Sequence, residues 1–422
     1  MWPMSRLRAL GTEINQSKQA SFLRQFIVYL GPALIVSVAY MDPGNYGTDI
    51  AAGVGFKYDL VWAVWLASGI AMILQYLSGK LGIATGKSLP EEIRNSLKRN
   101  AFVVPYWLSA ELAAAATDLA EYLGTVIALN LLFGVPLLYA AIFGALDVIL
   151  IMGLMTRRFR LIEQYFMMLV TVLVFGFLYE LTVVKPSISQ IFYHSLVPSL
   201  PESSALALVV GIIGATVMPH ALFLHSWLTK NKLKADTIEE KRITRKFHLW
   251  ETVILLTIAG VVNVGILLVA TPLYPSQNAE IQYVFQELSK FYGSIAGVVF
   301  VLTLLASGLT SSTTGTIAGQ VIMEGLIGKR ANIWVRRIIT RFVNVFPTTV
   351  AIFIGLDPLS LLIYSQVILS ILIPLPMIPL IYYTSKKNIM GEFVNRRMTT
   401  ALAIVVASII ITFNLYLLMS VA

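Results

Sequence analysis

Apolar residues are gathered into long runs along this chain, and short polar stretches separate the runs. A helix needs about 20 apolar residues to cross the hydrocarbon core of a bilayer. Eleven runs reach that length, so the pattern predicts eleven transmembrane helices. They lie near residues 26–54, 60–85, 102–133, 135–156, 161–184, 204–229, 249–271, 292–322, 336–356, 358–384 and 399–421.

The composition excludes a soluble protein of this size. Of the 422 residues, 57% are hydrophobic and 13% are charged, whereas soluble domains carry about 25% charged residues. The chain has no cysteine, which excludes a disulfide scaffold, a zinc–cysteine site and a cysteine nucleophile. Because the loops are short, we expect any chemistry to take place among the helices.

Lysine and arginine are concentrated in alternate loops. The N-terminal tail, residues 1–25, and every second loop hold 26 of the 31 basic residues, whereas the other loops hold three. Since basic loops remain in the cytoplasm, we expect a cytoplasmic N-terminus and an external C-terminus in the plasma membrane. The net charge of +9 is then a topology signal, and nucleic-acid binding is not expected.

Two of the predicted spans are interrupted. The first contains Asp-Pro-Gly-Asn at residues 42–45, and the sixth contains Met-Pro-His at residues 218–220. Proline removes a backbone donor and glycine loosens a helix. Broken helices at corresponding positions of two halves are typical of inverted-repeat transporters. We therefore predict an all-α membrane protein with five-helix repeats at 26–184 and 204–384 and an additional helix at 399–421.

The interrupted segments offer ligands for a cation. Asp42 and Asn45 supply oxygen atoms, and Met218 supplies a thioether. Oxygen ligands alone would suit Na⁺, Mg²⁺ or Ca²⁺, whereas an added thioether favours transition metals such as Mn²⁺ and Fe²⁺. The alternatives are structural, because Asp42 could cap the second half of a kinked helix and Met218 could fill a gap in the packing.

A stripe of carboxylates marks the third span. Glu111, Asp118 and Glu121 share one helical face because their spacings are seven and three. Such a stripe in a membrane helix is typical of a proton relay, with internal salt bridges as the alternative. Arg341, deep in the ninth span, is the expected counter-charge.

The sixth, eighth and tenth spans hold further polar side chains. His220 and His225 are spaced by five, which does not place them on one face as a metalloprotease pair requires. We interpret them as proton carriers, with buried structural histidine as the alternative. The small residues 311–319 of the eighth span predict close helix packing. Gln366 is either an interhelical hydrogen bond or a ligand that joins the site late.

The segments 42–45 and 218–220 resemble the motifs of the Nramp family of proton-coupled divalent-metal transporters. Three further stretches support this resemblance, which covers nearly the whole chain. They are Thr117-Asp118-Leu119-Ala120-Glu121, Gly319-Gln320-Val321-Ile322-Met323-Glu324-Gly325 and Ser365-Gln366-Val367-Ile368-Leu369-Ser370.

The resemblance implies a LeuT-like fold and a metal site built from the two interrupted spans. Met218 favours the transition-metal branch of the family over its magnesium branch. The implied ligands are the side chains of Asp42, Asn45 and Met218 and the backbone carbonyl of Ala215, joined in some states by the carbonyl of Ala39 and the side chain of Gln366.

The resemblance also implies a proton pathway and a nearby amide. The chain departs from the family pattern at residues 371–374, which read Ile-Leu-Ile-Pro where many relatives have a second polar glutamine. This departure concerns the hydrogen bonds of the outer gate and not the metal site. The implied proton carriers are Asp42, His220, Asp118, Glu121 and Arg341, and Gln75 in the second span matches a position near the site.

We therefore expect proton-coupled uptake of Mn²⁺ or Fe²⁺ by alternating access, with the metal ion as substrate and no resident cofactor. The expected partners are the metal ion, the proton and the lipid bilayer, and we expect a monomer. A sodium-coupled transporter of organic solutes on the same fold is the first alternative, and a metal channel or metal-sensing receptor is the second. A membrane enzyme is not supported, because no nucleophile and base have a suitable spacing.

Overall fold

The computed structural model describes residues 31–97, 100–146, 159–232, 235–275, 281–328 and 332–421. Within these ranges every regular element is helical. The α-helices are α1 Pro32–Ala39, α2 Pro43–Phe56, α3 Val61–Thr85, α4 Leu89–Ser96, α5 Asn100–Phe133, α6 Leu137–Gly144, α7 Phe159–Val184, α8 Ile188–Leu196, α9 Ser203–Val217, α10 Pro219–Lys232, α11 Ile238–Ala270, α12 Ile281–Tyr292, α13 Ser294–Ile327, α14 Ile333–Phe353, α15 Pro358–Leu372, α16 Pro374–Thr384, α17 Lys387–Met390 and α18 Arg397–Val421.

The first predicted span is divided into α1 and α2, as its sequence indicates. Pro43 occupies the first position of α2, where a missing N–H does no harm. Asp42 caps that helix, since its Oδ1 accepts a hydrogen bond of 2.9 Å from the Asn45 backbone N–H. Residues 26–30 of the predicted span lie outside the described residues.

The sixth predicted span is divided in the same way. Helix α9 ends at Val217 and α10 begins at Pro219. Met218 between them has a φ of 46°, a conformation that residues other than glycine rarely adopt. Backbone strain of this kind costs about 1–3 kcal/mol and persists only where the surrounding packing imposes it.

Many helices are long and apolar enough to cross a membrane. The described residues contain seven such helices, and α7 with α8 would make an eighth, although these two are bent by 114°. Helix α14 is 21 residues long, but it is not one of these seven helices because it carries three arginines, at positions 336, 337 and 341. The second part of the fourth predicted span, residues 147–156, lies outside the described residues.

The two interrupted spans occupy the centre of the helix bundle. The first twelve residues of α2 are all buried. Helix α2 packs against α9, α11 and α15, and α10 packs against α3 and α13. Helix α18 packs at the edge against α9 and α16 and leaves most of its surface exposed. This arrangement places the backbone interruptions in the interior, where polar groups that leave the helical hydrogen-bond pattern can contact side chains or a ligand.

Candidate functional site

The two helix interruptions meet in the middle of the protein. The Asn45 Nδ2 atom lies 3.5 Å from the carbonyl oxygen of Ala215, and the Thr216 hydroxyl donates to Asn45 Oδ1 at 3.2 Å. The Tyr40 hydroxyl donates to the Val217 carbonyl at 3.3 Å. Residues about 170 positions apart in the sequence are therefore in contact at the site that the broken spans predict.

Asp42 is fully buried at this meeting point. Its Oδ1 accepts hydrogen bonds from the backbone N–H and the side-chain Nδ2 of Asn45, at 2.9 and 2.8 Å. Its Oδ2 has no hydrogen-bond partner among the described residues. The capping role and the ligand role are thus compatible, because one oxygen caps α2 and the other is available to a cation.

The other expected ligands lie on the same two interruptions. Met218 is fully buried and follows Ala215 by three residues, so the thioether and the carbonyl come from one short stretch. Ala39 is buried and ends α1, where the last carbonyl groups of a helix lack intrahelical partners.

Gln366 of α15 lies beside both interruptions. Its side chain is fully buried and faces Gly44, and its backbone faces Gly214. The Nε2 group donates to the Ser365 hydroxyl at 2.8 Å, while Oε1 has no hydrogen-bond partner among the described residues. Because the hydrogen bond that this amide donates stays within α15, an oxygen with no partner among the described residues agrees with the ligand alternative better than with an interhelical hydrogen bond.

Gln75 connects the first interruption to a histidine. Its Nε2 donates to the Tyr40 hydroxyl at 2.7 Å, and its Oε1 lies 2.9 Å from His225 Nδ1. Because Oε1 can only accept, His225 Nδ1 carries the proton in this arrangement. His220 contacts a different element, with Nδ1 lying 3.0 Å from the Thr117 hydroxyl of α5. The two histidines therefore belong to separate contacts.

Asp118 is surrounded by donors from α14. Arg337 donates directly to its Oδ1, and Asn344 Nδ2 donates to its Oδ2 at 2.6 Å. Arg341, the counter-charge that the sequence indicates, lies 3.6 Å from Oδ1. Arg337 is the closer cation, and it is buried within α14 although it is only the second residue of the predicted span 336–356.

The other two carboxylates of the stripe face the same region. Glu111 forms an ion pair with Arg336, the residue before Arg337, nearer the protein surface. Glu121 is fully buried beside Gly315 of α13, and neither carboxylate oxygen has a hydrogen-bond partner among the described residues. Among the described residues, the stripe therefore contains two carboxylates in salt bridges and one, Glu121, with no cation paired to it.

A family model described as "Natural resistance-associated macrophage protein-like", abbreviated Nramp, matches residues 33–420. The chain belongs to the Nramp family. It is similar to the divalent metal cation transporter MntH of Deinococcus radiodurans, with 40% identity over 400 residues, 94% of this chain and 90% of that protein. Membership makes this chain a multi-pass membrane transporter and not an enzyme.

Solved structures confirm the fold expected for an Nramp protein. The manganese transporter of Eremococcus coleocola matches with a TM-score of 0.85 and 34% identity, covering 96% of this chain and 88% of that one. Mhp1, a transporter of the nucleobase-cation-symport-1 family, matches with a TM-score of 0.61 over 92% of this chain and 90% of that one. At 16% identity, that second match shows the shared LeuT-like fold alone.

Two further polar residues of this Nramp protein belong to the site and were missed in the sequence. The Nδ2 group of Asn263, on α11, donates to the Tyr40 carbonyl at 3.0 Å and to Asn45 Oδ1 at 3.2 Å. Thr216 donates to the same oxygen of Asn45. A single asparagine within the apolar run of the seventh span was the available signal for Asn263.

The small residues of the eighth span have two roles in the Nramp structure. Several hydroxyls bond to their own helix, as with Thr310 and Ser311. A Cβ atom at Gly315 would lie 2.8 Å from Glu121 Oε1 of α5, which agrees with the predicted close packing. The Ser307 hydroxyl donates to the Met41 carbonyl at the first interruption, and Ser312 accepts from Arg337 and Arg341. Helix α13 therefore contacts both the interruption and the salt bridges.

The candidate Nramp metal site is weakly charged. Among the described residues, no group of three or more His, Cys, Asp or Glu side chains lies close enough to hold a metal ion. Asp42 is the one carboxylate in the expected ligand set. A site with few charged ligands suits a transported ion, because binding must be favourable enough for entry and weak enough for release.

Proposed function

We propose that this Nramp protein imports Mn²⁺ and Fe²⁺ by proton-coupled alternating access. One observation carries the proposal: the buried Asp42 Oδ2, where the two helix interruptions meet, has no hydrogen-bond partner in the part of the chain that the structure describes. A buried carboxylate oxygen without a partner is costly in a membrane interior. A bound cation, or a proton in its absence, would relieve that cost.

The ligand types favour transition metals. Asp42, Asn45 and the carbonyl of Ala215 offer oxygen, and Met218 offers a polarisable sulfur. Strongly hydrated Mg²⁺ and Ca²⁺ gain little from a thioether, whereas Mn²⁺ and Fe²⁺ accept softer donors. Gln366 and the carbonyl of Ala39 would complete the coordination in some states, since Gln366 Oε1 has no hydrogen-bond partner in the described structure.

Protons would move along the carboxylates that face α13 and α14. Asp42 and His220 would exchange protons near the metal, and Asp118, Glu121 and Arg341 would lead them away. Glu111 and its partner Arg336 are partly exposed and would form the exit. His225, linked to Tyr40 through Gln75, would be a secondary carrier.

Alternating access fits a site that is closed on both sides. Asp42, Asn45 and Met218 have no exposed surface. Release to the cytoplasm would require α1 and part of α10 to tilt away. The membrane potential favours inward movement, because a divalent cation gains about 4–5 kcal/mol per 100 mV when it crosses the full field.

The membrane arrangement follows from the distribution of basic residues. We propose that the protein lies in the plasma membrane as a monomer, with its N-terminus in the cytoplasm and its C-terminus outside. The two five-helix repeats, 26–184 and 204–384, would have opposite orientations, and residues 399–421 would add the last helix.

The decisive test is metal flux in proteoliposomes with a pH-sensitive dye inside. We expect saturable uptake of Mn²⁺ and Fe²⁺ with internal acidification, and little uptake of Mg²⁺ or Ca²⁺. The Asp42→Ala variant should abolish uptake, whereas Asp236→Ala, an exposed matched control, should retain it. Sodium-dependent uptake of an organic solute, or non-saturable metal flux without proton movement, would overturn the proposal in favour of the corresponding alternative.

A further inference from the structure

Glu251 of α11 contacts the beginning of α1. Its Oε1 accepts hydrogen bonds from the backbone N–H groups of Gly31, at 2.5 Å, and Ala33, at 3.1 Å. The Glu251 residue is buried. A carboxylate from the seventh predicted span therefore caps the first half of the interrupted first span, about 220 positions earlier in the sequence.

The contact satisfies a need of α1 that its own sequence does not meet. The first N–H groups of a helix have no intrahelical acceptors, and Gly31 at the capping position has no side chain to supply one. Pro32 has no N–H, so Gly31 and Ala33 are the donors on either side of it. A carboxylate also interacts favourably with the positive end of the helix dipole.

The two halves of the interrupted span are capped in different ways. Asp42, directly before α2, caps that helix from its own chain segment, whereas α1 is capped from another helix. Helix α11 also contacts the far end of α1, because Asn263 donates to the Tyr40 carbonyl. Glu251 and Asn263 are twelve residues apart, about 18 Å along the helix, so α11 contacts both ends of α1.

We propose that Glu251 is a positioning residue for transport that holds α1 closed. Its hydrogen bonds keep α1 parallel to α11 and thereby place Ala39 and Asp42 at the metal site. Movement of α1 toward the cytoplasmic-open state requires these bonds to break. This inference rests on the proposed alternating-access function, in which α1 is a moving element.

The absence of cysteine from the chain makes a sharp test possible. A Ser37→Cys substitution places the sole thiol on α1, at a buried position with a side chain of similar size. The rate at which a polar thiol reagent modifies it in nanodiscs then reports how often α1 separates. Ala63→Cys, buried in α3, reports general loosening of the bundle.

Without metal, Glu251→Ala should increase the labelling rate at residue 37 by about tenfold or more, since it removes two hydrogen bonds to a charged group. Glu251→Gln keeps an acceptor oxygen and should give a smaller increase. Glu239→Ala removes an exposed glutamate of the same helix and should match the parent protein. Labelling at residue 63 should remain unchanged in all of them.

Transport kinetics give a second readout. In Glu251→Gln the closed state should form less often. The apparent KM of this variant for external Mn²⁺ should therefore rise by a larger factor than its maximum rate falls. If Glu251→Ala does not fold, Glu251→Gln carries the test, with its melting temperature recorded.

Unchanged labelling of residue 37 in a folded Glu251 variant, or equal increases at residues 37 and 63, would overturn the inference. Because labelling needs no metal flux, its failure is distinguishable from failure of the proposed function. A parent protein that transports no metal would overturn the proposed function, whereas the labelling of residue 37 would still show whether Glu251 holds α1 in place.

Discussion

Gln366 packs directly against Gly44. A Cβ atom at position 44 would lie 2.3 Å from Gln366 Nε2, and one at Gly214 would lie 1.9 Å from the Gln366 backbone oxygen. Both helix interruptions thus approach α15 more closely than a side chain would allow. The two approaches differ, because Gly44 faces a movable side chain and Gly214 faces fixed backbone.

This difference predicts two distinct outcomes for alanine substitutions. Gly44→Ala should displace the Gln366 amide and lower Mn²⁺ uptake by about tenfold or more, with a small change in melting temperature. Gly214→Ala meets backbone that cannot yield, and overpacking of this kind costs about 1–3 kcal/mol or more. Uptake in proteoliposomes and thermal unfolding in detergent measure the two effects.

Gly69 of α3 provides the control for these two variants. No atom of another described segment lies within 4 Å of a Cβ placed there, so Gly69→Ala should leave uptake and stability at or above the parent level. Normal uptake by Gly44→Ala would show that the position of the Gln366 side chain does not matter for transport.

Loss of the Met218 sulfur should reduce metal discrimination. Met218→Ala and the more nearly isosteric Met218→Leu should transport Mn²⁺ less well relative to Ca²⁺, because the oxygen ligands remain and accept hard cations. Competition between the two ions in proteoliposomes measures this ratio. Met377→Leu changes another buried methionine and should preserve it. Unchanged selectivity in both Met218 variants would show that the thioether is not a ligand.

Arg337 should matter more for stability than Arg341. Removing the guanidinium that donates to Asp118 leaves a buried carboxylate with Asn344 and a cation at 3.6 Å. Breaking a buried ion pair costs about 3–5 kcal/mol, so Arg337→Ala should lower the melting temperature strongly and Arg341→Ala less. Both should reduce proton movement per metal ion. Equal melting temperatures for the two variants would contradict the assigned geometry.

The Glu91–Lys230 contact should give the protein a measurable acid sensitivity. Lys230 Nζ lies 2.6 and 2.7 Å from the two carboxylate oxygens of Glu91. Partial burial raises the pKa of Glu91, but the hydrogen bond and charge of Lys230 and the Ser88 N–H outweigh it, so the pKa falls below 4.5. A lowered folded-state pKa stabilises the protein above pH 4.5, and this stabilisation disappears as the pH falls through the lowered value.

The variant Glu91→Gln tests this pH dependence. Its melting temperature should lie below that of the parent at pH 7, by an amount equivalent to about 0.5–1 kcal/mol, since both side chains are partly exposed. The difference should shrink below pH 4.5. Glu239→Gln, in an exposed pair, should show little difference at any pH. A difference in melting temperature between Glu91→Gln and the parent that grows as the pH falls would contradict the predicted direction.

Some residues of the site could be predicted and others could not. Asp42, Asn45 and Met218 were visible because proline and a polar or sulfur-bearing side chain coincide inside apolar runs. Arg337, the second residue of the predicted ninth span, was not among the expected site residues, because a cation near the end of a span looks the same in sequence whether it points to water or to Asp118. Asn263 had a weak signal, a single amide in an apolar run.

The sequence by itself determined the membrane class, the two helix interruptions and the types of donor atom that lie at them. These depend on local chemistry: apolar length, the missing N–H of proline and the donor atoms of each side chain. Only the tertiary structure decided which distant groups meet, as Glu251 meets Gly31 and Arg337 meets Asp118 across about 220 positions. Such pairs depend on how each helix is rotated and shifted against its neighbours, and that is settled by the packing of the whole bundle.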